Sequence, residues 1–364
     1  MVVLMLFGFA AALMGSVLCI RWAAHHGHGY SLAKPQRFHA GQVGRIGGVG
    51  LMLGLLVAWT VAVCGADTLN TASSWSQAWP WLLMLLPAWL GGVAEDLTQR
   101  LSVRYRLCLT AVSAALACSL LNLTVARLDM AWLDAGLTVW PWVGVALAFV
   151  AVCGLPHAFN IIDGYNGLAG TVALLVCLAL VHVGIQVGDR ELAAMVVCLA
   201  GATLGFLVWN YPRGLIFAGD GGAYLWGLVI AVASVMLVQR NPLVSPWFPM
   251  LLLIYPVWET MFSIYRKLAR GVSPGVADAL HFHQLIYRRL VRGVFDDDEA
   301  RRMLMRNNRT SPYLWGFTLL TVVPAVLFWR NTAVLMAFCA LFVVSYVAAY
   351  VAIIRFKVPA WLRS

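Results

Sequence analysis

The chain has 364 residues, of which 62% are hydrophobic and only 11% are charged, and its mean hydropathy is +0.83. Soluble domains carry about 25% charged residues, so this composition excludes an ordinary soluble protein and places most of the chain in lipid. The net charge of +10 does not predict a nucleic-acid partner, because in a membrane protein the position of the positive residues matters more than their sum.

Long apolar runs predict the membrane-spanning helices, since a helix needs about twenty apolar residues to cross the hydrocarbon core. In chain order the predicted spans are 2–20, 46–66, 79–94, 105–124, 137–155, 167–187, 192–209, 222–238, 246–265, 313–329 and 332–354. The third and seventh are short, so ten is the alternative count. The sequence therefore predicts an all-α polytopic membrane protein with about eleven transmembrane helices, organised as one integral-membrane domain over residues 1–364.

Positive residues divide unequally between alternate connections. Of the 25 lysines and arginines, 21 lie in one set of connections and at the C-terminus. The other four are Arg127, Arg190, Arg240 and Arg330. Because positive residues mark the cytoplasmic side, this bias predicts a periplasmic N-terminus and a cytoplasmic C-terminus. The largest aqueous segment, at about 266–312, is then a cytoplasmic loop.

Five polar clusters lie in the connections that this orientation makes cytoplasmic. They are Lys34 to His39 with Arg45 to Gly48, Gly92 to Asp96, Asn160 to Gly167, Phe217 to Gly222, and His281 to His283. Each carboxylate among them could by itself be an ordinary helix cap in a wet loop. Four carboxylates on one face, together with two asparagines and two histidines, indicate instead a shared site.

The residue types in these clusters suit metal and phosphate. Carboxylate and amide oxygens are ligands that Mg²⁺ prefers, and Mg²⁺ is usually held by one or two protein groups together with substrate phosphates. Lys34, Arg37, Arg45 and the pair Arg288 and Arg289 could neutralise phosphate oxygens. Mg²⁺ is therefore the predicted cofactor, with Mn²⁺ as the alternative, and the predicted chemistry is phosphoryl transfer at the membrane surface.

Three further patterns carry structural predictions. Gly50 and Gly54 open the second predicted span and indicate close helix packing. The run Asp296 to Glu299, followed by Arg301, resembles the first turn of a surface helix. An interfacial aromatic belt on the outer side is predicted from Trp75, Trp79, Trp81, Trp140 and Trp142.

In its clusters the sequence resembles the polyprenyl-phosphate N-acetylhexosamine-1-phosphate transferases, the glycosyltransferase family 4 type. The resemblance runs from Lys34 to Arg292 and is most specific in the Asn-x-x-Asp-Gly-x-Asn-Gly-Leu-Ala run that begins at Asn160. Gly-Asp-Gly-Gly around Asp220 and His-x-His at His281 support it. Glu95-Asp96, together with the run Trp209 to Arg213, resembles the branch that initiates O-antigen-type polysaccharides.

The resemblance implies a reaction at the cytoplasmic face of the bacterial inner membrane. N-acetylhexosamine-1-phosphate would pass from a UDP-sugar to undecaprenyl phosphate, with release of UMP and initiation of lipid-linked cell-surface polysaccharide synthesis. Partners are then these two substrates and membrane lipids, and whether the chain forms a homodimer stays open. The implied catalytic residues are Glu95, Asp96 and Asp220, the metal ligands Asn160 and Asp220, and the substrate-binding residues Lys34, Arg37, Arg45, Asp163, Asn166, His281 and His283.

The sequence departs from the family pattern at three places. The usual Asp-Asp is Glu95-Asp96, the segment from Ala33 to Phe38 lacks an acidic and a basic residue, and Gln284 replaces a histidine. A transporter or flippase of nucleotide-linked or lipid-linked sugars is the alternative function. It would place charges at mid-bilayer and break helices there, whereas the charges here lie at one rim. A structural or sensory role leaves the one-sided polar clusters without a cause.

Overall fold

The computed structural model describes residues 1–26, 43–273, 280–291, 293–294 and 296–355. The helices in these ranges are α1 (Val2–His26), α2 (Gly47–Cys64), α3 (Ala66–Leu69), α4 (Trp75–Thr98), α5 (Val103–Leu120), α6 (Ala131–Val139), α7 (Pro141–Ile162), α8 (Leu168–Gln186), α9 (Arg190–Asn210), α10 (Gly219–Arg240), α11 (Trp247–Leu252), α12 (Ile254–Ala269), α13 (Phe282–Arg289), α14 (Glu299–Leu327) and α15 (Thr332–Ile354). The predicted all-α fold is confirmed.

Each of the eleven predicted spans corresponds to helix in the structure. Within the described ranges, nine helices are long and apolar enough to cross a membrane. Two of the predicted spans, 79–94 and 246–265, are not among these nine helices. Helix α4 contains Pro80 and Pro87 among its apolar residues, and the predicted span 246–265 is interrupted at Leu253, between α11 and α12. The chain is a polytopic membrane protein, and its predicted orientation stays a prediction.

Helix α14 begins earlier than predicted, at Glu299 instead of residue 313. The Asp298 carboxylate accepts a hydrogen bond from the Ala300 backbone N–H at 2.9 Å and caps the helix. The predicted surface helix and the predicted span are thus one helix of 29 residues, with Pro312 inside it. The predicted span begins only at residue 313 because the apolar run does not extend into the arginine-rich stretch before it.

Helix α10 lies at the centre of the bundle. It packs against α2, α4, α7, α8 and α9, and 16 of its 22 residues are buried. Apolar residues on all sides are expected of a helix enclosed by other helices. The first turn of α10 is consequently held from several sides, and that turn carries one of the predicted polar clusters.

Small residues bring the helices around this turn into close contact. A Cβ atom added at Gly92 of α4 would lie 2.6 Å from the backbone nitrogen of Gly221 in α10. At the start of α2, the backbone N–H groups of Gly47 and Gly48 donate to the carbonyls of Phe217 and Ala218, each at 2.9 Å. Two N–H groups that lack partners within α2 are thereby satisfied by the segment leading into α10.

The prediction of close packing at Gly50 and Gly54 is confirmed. Cβ atoms added there would lie 2.9 Å from the backbone nitrogen of Ser16 and 2.6 Å from the Ala12 Cβ of α1. The tryptophan prediction was wrong for Trp81, which is buried and makes an edge-to-face contact with Trp59 at 6.0 Å. Its helix turns Trp81 inward, whereas the other tryptophans of the predicted belt are exposed: Trp75, Trp79, Trp140 and Trp142.

Candidate active site

Asp220, in the first turn of α10, collects polar side chains from three helices. Its Oδ1 accepts a hydrogen bond from Asn160 Nδ2 at 2.7 Å, and its Oδ2 accepts one from the Tyr224 hydroxyl at 3.2 Å. The Arg106 guanidinium forms an ion pair with Oδ2. Asn160 lies on α7 and Arg106 on α5. The two predicted metal ligands therefore lie side by side.

Asp96 reaches the same turn from the neighbouring helix α4. Its carboxylate is buried and accepts hydrogen bonds from the backbone N–H groups of Asp220 at 2.8 Å and Gly221 at 2.9 Å. A negative group is favoured at a helix N-terminus, where N–H groups lack partners within the helix. Gly219 completes the turn with φ of 68°, and a Cβ atom there would collide with the Asp96 carboxylate. Asp96 thereby fixes the start of the helix that carries Asp220.

Glu95, the other member of the predicted acidic pair, faces a different partner. Its Oε2 accepts a hydrogen bond from the Leu101 backbone N–H at 2.7 Å, in the turn between α4 and α5. The side chain is half-buried. The structure thus gives Glu95 and Asp96 different environments, although they are adjacent in sequence.

Asp163 lies one residue beyond the end of α7, in the run that begins at Asn160. Burial raises the pKa of its carboxyl to about 7, while the nearby positive charge of Arg45 lowers that pKa and the negative charge of Asp220 raises it. These electrostatic effects place Arg45, Asp163 and Asp220 in one neighbourhood. A carboxyl group without enough compensating charge is what a cation or a positively charged ligand group would stabilise.

Asn166 ties the same loop to α14. Its backbone N–H donates to Asn307 Oδ1 at 2.8 Å, and its Nδ2 donates to Asn308 Oδ1 at 3.0 Å. Its side chain is buried, and its Oδ1 has no hydrogen-bond partner among the described residues. The next residue, Gly167, donates its N–H to Asn210 Oδ1 at 2.6 Å. Asn166 therefore holds the loop in shape, and its contact with substrate stays a prediction.

The two histidines stand beside this loop. The rings of His281 and His283 stack with centroids 5.3 Å apart and planes 7° from parallel. His283 makes an edge-to-face contact with Tyr165 at 5.5 Å, and a Cβ atom at Gly164 would lie 3.3 Å from His283 Nε2. The histidine cluster and the loop that follows Asn160 are thus neighbours, although more than a hundred residues separate them in sequence.

Sequence reasoning missed two charged residues of this region. Arg106 counted only as a positive charge in a connection, yet it pairs with Asp220. Glu259 lies in α12 with no exposed surface and contacts His281. The signal for Glu259 was available, because an ionisable residue inside a predicted span is by itself an indication of function.

The remaining predicted residues are placed as follows. Lys34 and Arg37 lie outside the described residues. The Arg289 guanidinium donates to the carbonyls of Ile353 at 2.9 Å and Ile354 at 2.6 Å, so it caps the end of α15. Such bonds satisfy carbonyls that lack partners within the helix.

Acidic residues at the opposite end of the bundle are placed differently. Arg240 lies 3.6 Å from Asp189 and 3.5 Å from Glu191, and the Asp189 carboxylate caps α9 through the Leu192 N–H. These carboxylates have the ordinary structural partners of helix ends. The carboxylates near Asp220 instead lie close to one another. This arrangement identifies their end of the bundle as the candidate active site.

The donor set around Asp220 fits Mg²⁺. Among the described residues there is no group of three or more His, Cys, Asp or Glu side chains suited to a metal ion. Mg²⁺ does not need one, since it commonly takes one or two protein oxygens and completes its shell with phosphates and water. Asp220 supplies a carboxylate oxygen, and the adjacent amide of Asn160 can turn its oxygen toward the same point. The Arg106 guanidinium already shows that a cation is favoured against this carboxylate.

Known proteins are similar to the part of the chain that carries this candidate site. Residues 78–238 match glycosyl transferase family 4, a range that includes Asp96, Asn160 and Asp220. The chain is 26% identical over 255 residues to the undecaprenyl-phosphate alpha-N-acetylglucosaminyl 1-phosphate transferase of Thermotoga maritima, covering 70% of this chain and 72% of that protein.

Two further relatives match over a shorter range. The decaprenyl-phosphate N-acetylglucosaminephosphotransferase of Mycolicibacterium smegmatis is 31% identical over 159 residues, which cover 38% of this chain and 39% of that protein. The phospho-N-acetylmuramoyl-pentapeptide-transferase of Moorella thermoacetica is 34% identical over 137 residues, which cover 35% of this chain and 42% of that protein. The chain thus spans about two fifths of the length of these two relatives. By the family match and these relatives, residues 78–238 are similar to glycosyl transferase family 4, and the chain is similar to proteins named as polyprenyl-phosphate N-acetylglucosamine-1-phosphate transferases.

Proposed function

We propose that the protein transfers N-acetylhexosamine-1-phosphate from a UDP-sugar to undecaprenyl phosphate and releases UMP. The observation that carries this proposal is the convergence of Asn160, Arg106 and Tyr224 on Asp220, beside Asp163 and Arg45. Such a group of oxygen ligands and cations suits a diphosphate. The names of the relatives supply the reaction class, since they act on polyprenyl phosphates and N-acetylated sugars.

In this proposal the protein works mainly by positioning and charge neutralisation, as is usual in phosphoryl transfer. Asp220 and Asn160 hold Mg²⁺, which supplies neutralisation of charge on the diphosphate. Arg106 and Arg45 add fixed positive charge near the same oxygens. Asp163 forms one wall of the donor site, in the loop that Asn166 holds in place. Lys34 and Arg37 are proposed to contact phosphate as well.

We assign Asp96 a positioning role rather than that of a general base. Both of its carboxylate oxygens accept backbone N–H groups of α10 and are thereby engaged in holding the start of that helix, although burial and the negative charge of Asp220 raise the pKa of the carboxyl. A lipid phosphate needs little help, since its second ionisation has a pKa of about 6 and it is mostly ionised at neutral pH. The lipid phosphate would therefore attack the β-phosphorus directly.

We further propose which sugar is transferred, which kind of polysaccharide is started and which face of the membrane carries the site. N-acetylglucosamine is the favoured sugar, because the relatives from Thermotoga and Mycolicibacterium carry it in their names. The Glu95-Asp96 form supports the branch that starts O-antigen-type polysaccharides. The charge bias supports an inner-membrane location with the site facing the cytoplasm. Mn²⁺ could replace Mg²⁺ at the same oxygens.

The direct test supplies membranes containing the overexpressed protein with radiolabelled UDP-N-acetylglucosamine, undecaprenyl phosphate and Mg²⁺. We expect UMP and a lipid-diphospho-sugar from the wild type and at least a thousandfold loss in Asp220→Asn, with unchanged amounts of folded protein. The matched control is Asp297→Asn, the same change at an exposed position, which should keep full activity. Full activity in Asp220→Asn would remove Asp220 from the site. Uptake of the donor without any lipid product would favour a transporter.

A further inference from the structure

Glu259 is a buried carboxylate that the proposed reaction does not yet use. Its side chain lies on α12 and has no exposed surface. Burying a carboxylate is costly unless hydrogen bonds and nearby charges compensate it. The groups that compensate Glu259 therefore indicate what this residue is for.

Within the part of the chain that the structure describes, the hydrogen bonds to Glu259 come from the histidine motif and from α15. Oε1 lies 2.9 Å from His281 Nδ1 and accepts the Phe282 backbone N–H at 3.2 Å. Oε2 accepts the Tyr346 hydroxyl at 2.6 Å and the same N–H at 3.3 Å. The carboxylate is thus hydrogen-bonded to the first two residues of the motif, and Tyr346 holds the carboxylate from its other side.

A second contact from the same helix holds the residue before the motif. Arg266 Nη1 donates to the Leu280 carbonyl at 2.7 Å. Its guanidinium lies over the neighbouring rings of Phe262 and Tyr350, 5.1 Å and 4.9 Å from their centroids. Helices α12 and α15 therefore clamp the chain at residues 280–282, immediately before His283 meets the loop that follows Asn160.

The contact with Glu259 also determines which nitrogen of His281 is available. An ionised carboxylate can accept hydrogen bonds but cannot donate them. The His281 Nδ1 that faces Glu259 therefore carries the proton. Nε2 is then the nitrogen that can contact a ligand. The parallel stack with His283 keeps both rings in one orientation beside the loop of Asp163.

We propose that Glu259 is a positioning residue, which holds the His281 imidazole through Nδ1 so that Nε2 is presented to the diphosphate of the donor. The inference rests on the proposed function for the identity of the ligand. Glu259 itself does not touch the substrate. Tyr346 acts through Glu259, because its hydroxyl orients the Glu259 carboxylate. Helix α15 thereby contributes to the active site although it does not contact the substrate.

A matched pair of variants tests the hydrogen bond between Tyr346 and Glu259. Tyr346→Phe removes a hydroxyl bonded to Glu259. Tyr255→Phe removes an equally buried hydroxyl one turn before Glu259 on α12, and this hydroxyl has no hydrogen-bond partner within the described ranges. We expect kcat/KM for the donor to fall about tenfold in Tyr346→Phe, the usual loss for a hydrogen bond to a charged group. Tyr255→Phe should match the wild type, and equal losses in both would overturn the proposal.

A double-mutant cycle separates positioning from general stability. Glu259→Gln keeps the shape and removes the charge, and we expect about ten- to hundredfold loss of kcat/KM in the wild-type background. In the His281→Gln background the same change should cost less than about threefold, because its effect passes through His281. Equal losses in both backgrounds would show that Glu259 acts elsewhere.

Ring-¹⁵N histidine spectra of the purified protein provide a readout that needs no substrate. The His281 signals, identified by their loss in His281→Gln, should show a protonated Nδ1 in the wild type. They should shift in Glu259→Gln and remain in place in Tyr255→Phe. If the wild type forms no lipid product, the proposed function fails while the spectra still test the contact. If the wild type is active and Glu259→Gln leaves both activity and spectra unchanged, only the positioning role fails.

Discussion

At the scale of single residues, Asp220 is distinguished by the number of polar groups that contact it. An asparagine, an arginine, a tyrosine and the carboxylate of Asp96 all contact its side chain or its backbone. In a membrane protein such a concentration of polar groups is expensive, because each must be kept out of the lipid. It persists here at one helix end, where water and a soluble nucleotide sugar could both reach it.

The raised pKa of Asp163 predicts how stability depends on pH. The folded protein holds the Asp163 proton up to about pH 7, whereas an unfolded aspartate releases its proton at about pH 4. Between these values the folded state binds more protons, so the free energy of unfolding falls as pH rises. Asp163→Asn removes this dependence. With EDTA and no nucleotide, the Tm of the variant relative to wild type should therefore be higher at pH 8 than at pH 5.

The control for this measurement is Asp297→Asn, whose carboxylate is exposed. Its Tm relative to wild type should not change between pH 5 and pH 8. An Asp163→Asn difference that is likewise constant across this range would show that the Asp163 carboxyl titrates normally in the folded protein.

At the scale of helices, the start of α10 depends on small residues in its neighbours. Gly48 of α2 and Gly92 of α4 allow both backbones to reach the turn of Asp220. Asp96, one turn after Gly92, can then bond to the N–H groups of that turn. The polar contacts of the site are thus a consequence of backbone approach, which glycine alone permits here.

Gly92→Ala should therefore damage both packing and chemistry. The added Cβ would lie 2.6 Å from the Gly221 nitrogen, so the helices must separate. We expect the free energy of unfolding to fall by about 1–3 kcal/mol. Because the Asp96 contact shifts with the helix, we also expect kcat to fall about tenfold. Gly154→Ala is the matched control on exposed α7 surface, where a Cβ would meet nothing within 4 Å in the described chain. Unchanged Tm and kcat in Gly92→Ala would contradict this account.

The helices themselves could be predicted well from the sequence, because apolar length decides a span. The differences arose where another rule competed. Hydropathy places the start of this span at residue 313, but α14 begins at Glu299, and its earlier part carries Asn307 and Asn308 to the loop at Asn166. Leu253 interrupts an apolar run that hydropathy reads as continuous.

The candidate site could be predicted only in part, for a physical reason. Residues with unusual local patterns, such as Asn160 and Asp220, are recognisable in sequence. Arg106 is ordinary in its local sequence and acquires a role only through contact with a distant helix. Glu259 stands out as an ionisable residue inside a predicted span, but its partner His281 is not evident from the sequence. Such partners follow from how the bundle packs, which composition and spacing do not determine.

At the scale of the whole molecule, the two ends of the bundle differ in kind. One end carries the cluster around Asp220 and the stacked histidines, and the other carries ordinary ion pairs such as Arg240 with Asp189. The charge bias predicts that the first end faces the cytoplasm. This orientation would let a soluble nucleotide sugar meet the phosphate of a membrane lipid at one surface.

The most direct measurement uses UDP-N-acetylglucosamine labelled with ³²P at the β-phosphorus, supplied to inverted and right-side-out membrane vesicles. The account predicts that the label enters the lipid in inverted vesicles, in equal amount to the UMP released, and that right-side-out vesicles remain unlabelled. Label that stays in a water-soluble product while sugar enters the lipid would contradict phosphosugar transfer. Labelling of lipid in right-side-out vesicles would contradict a cytoplasmic active face.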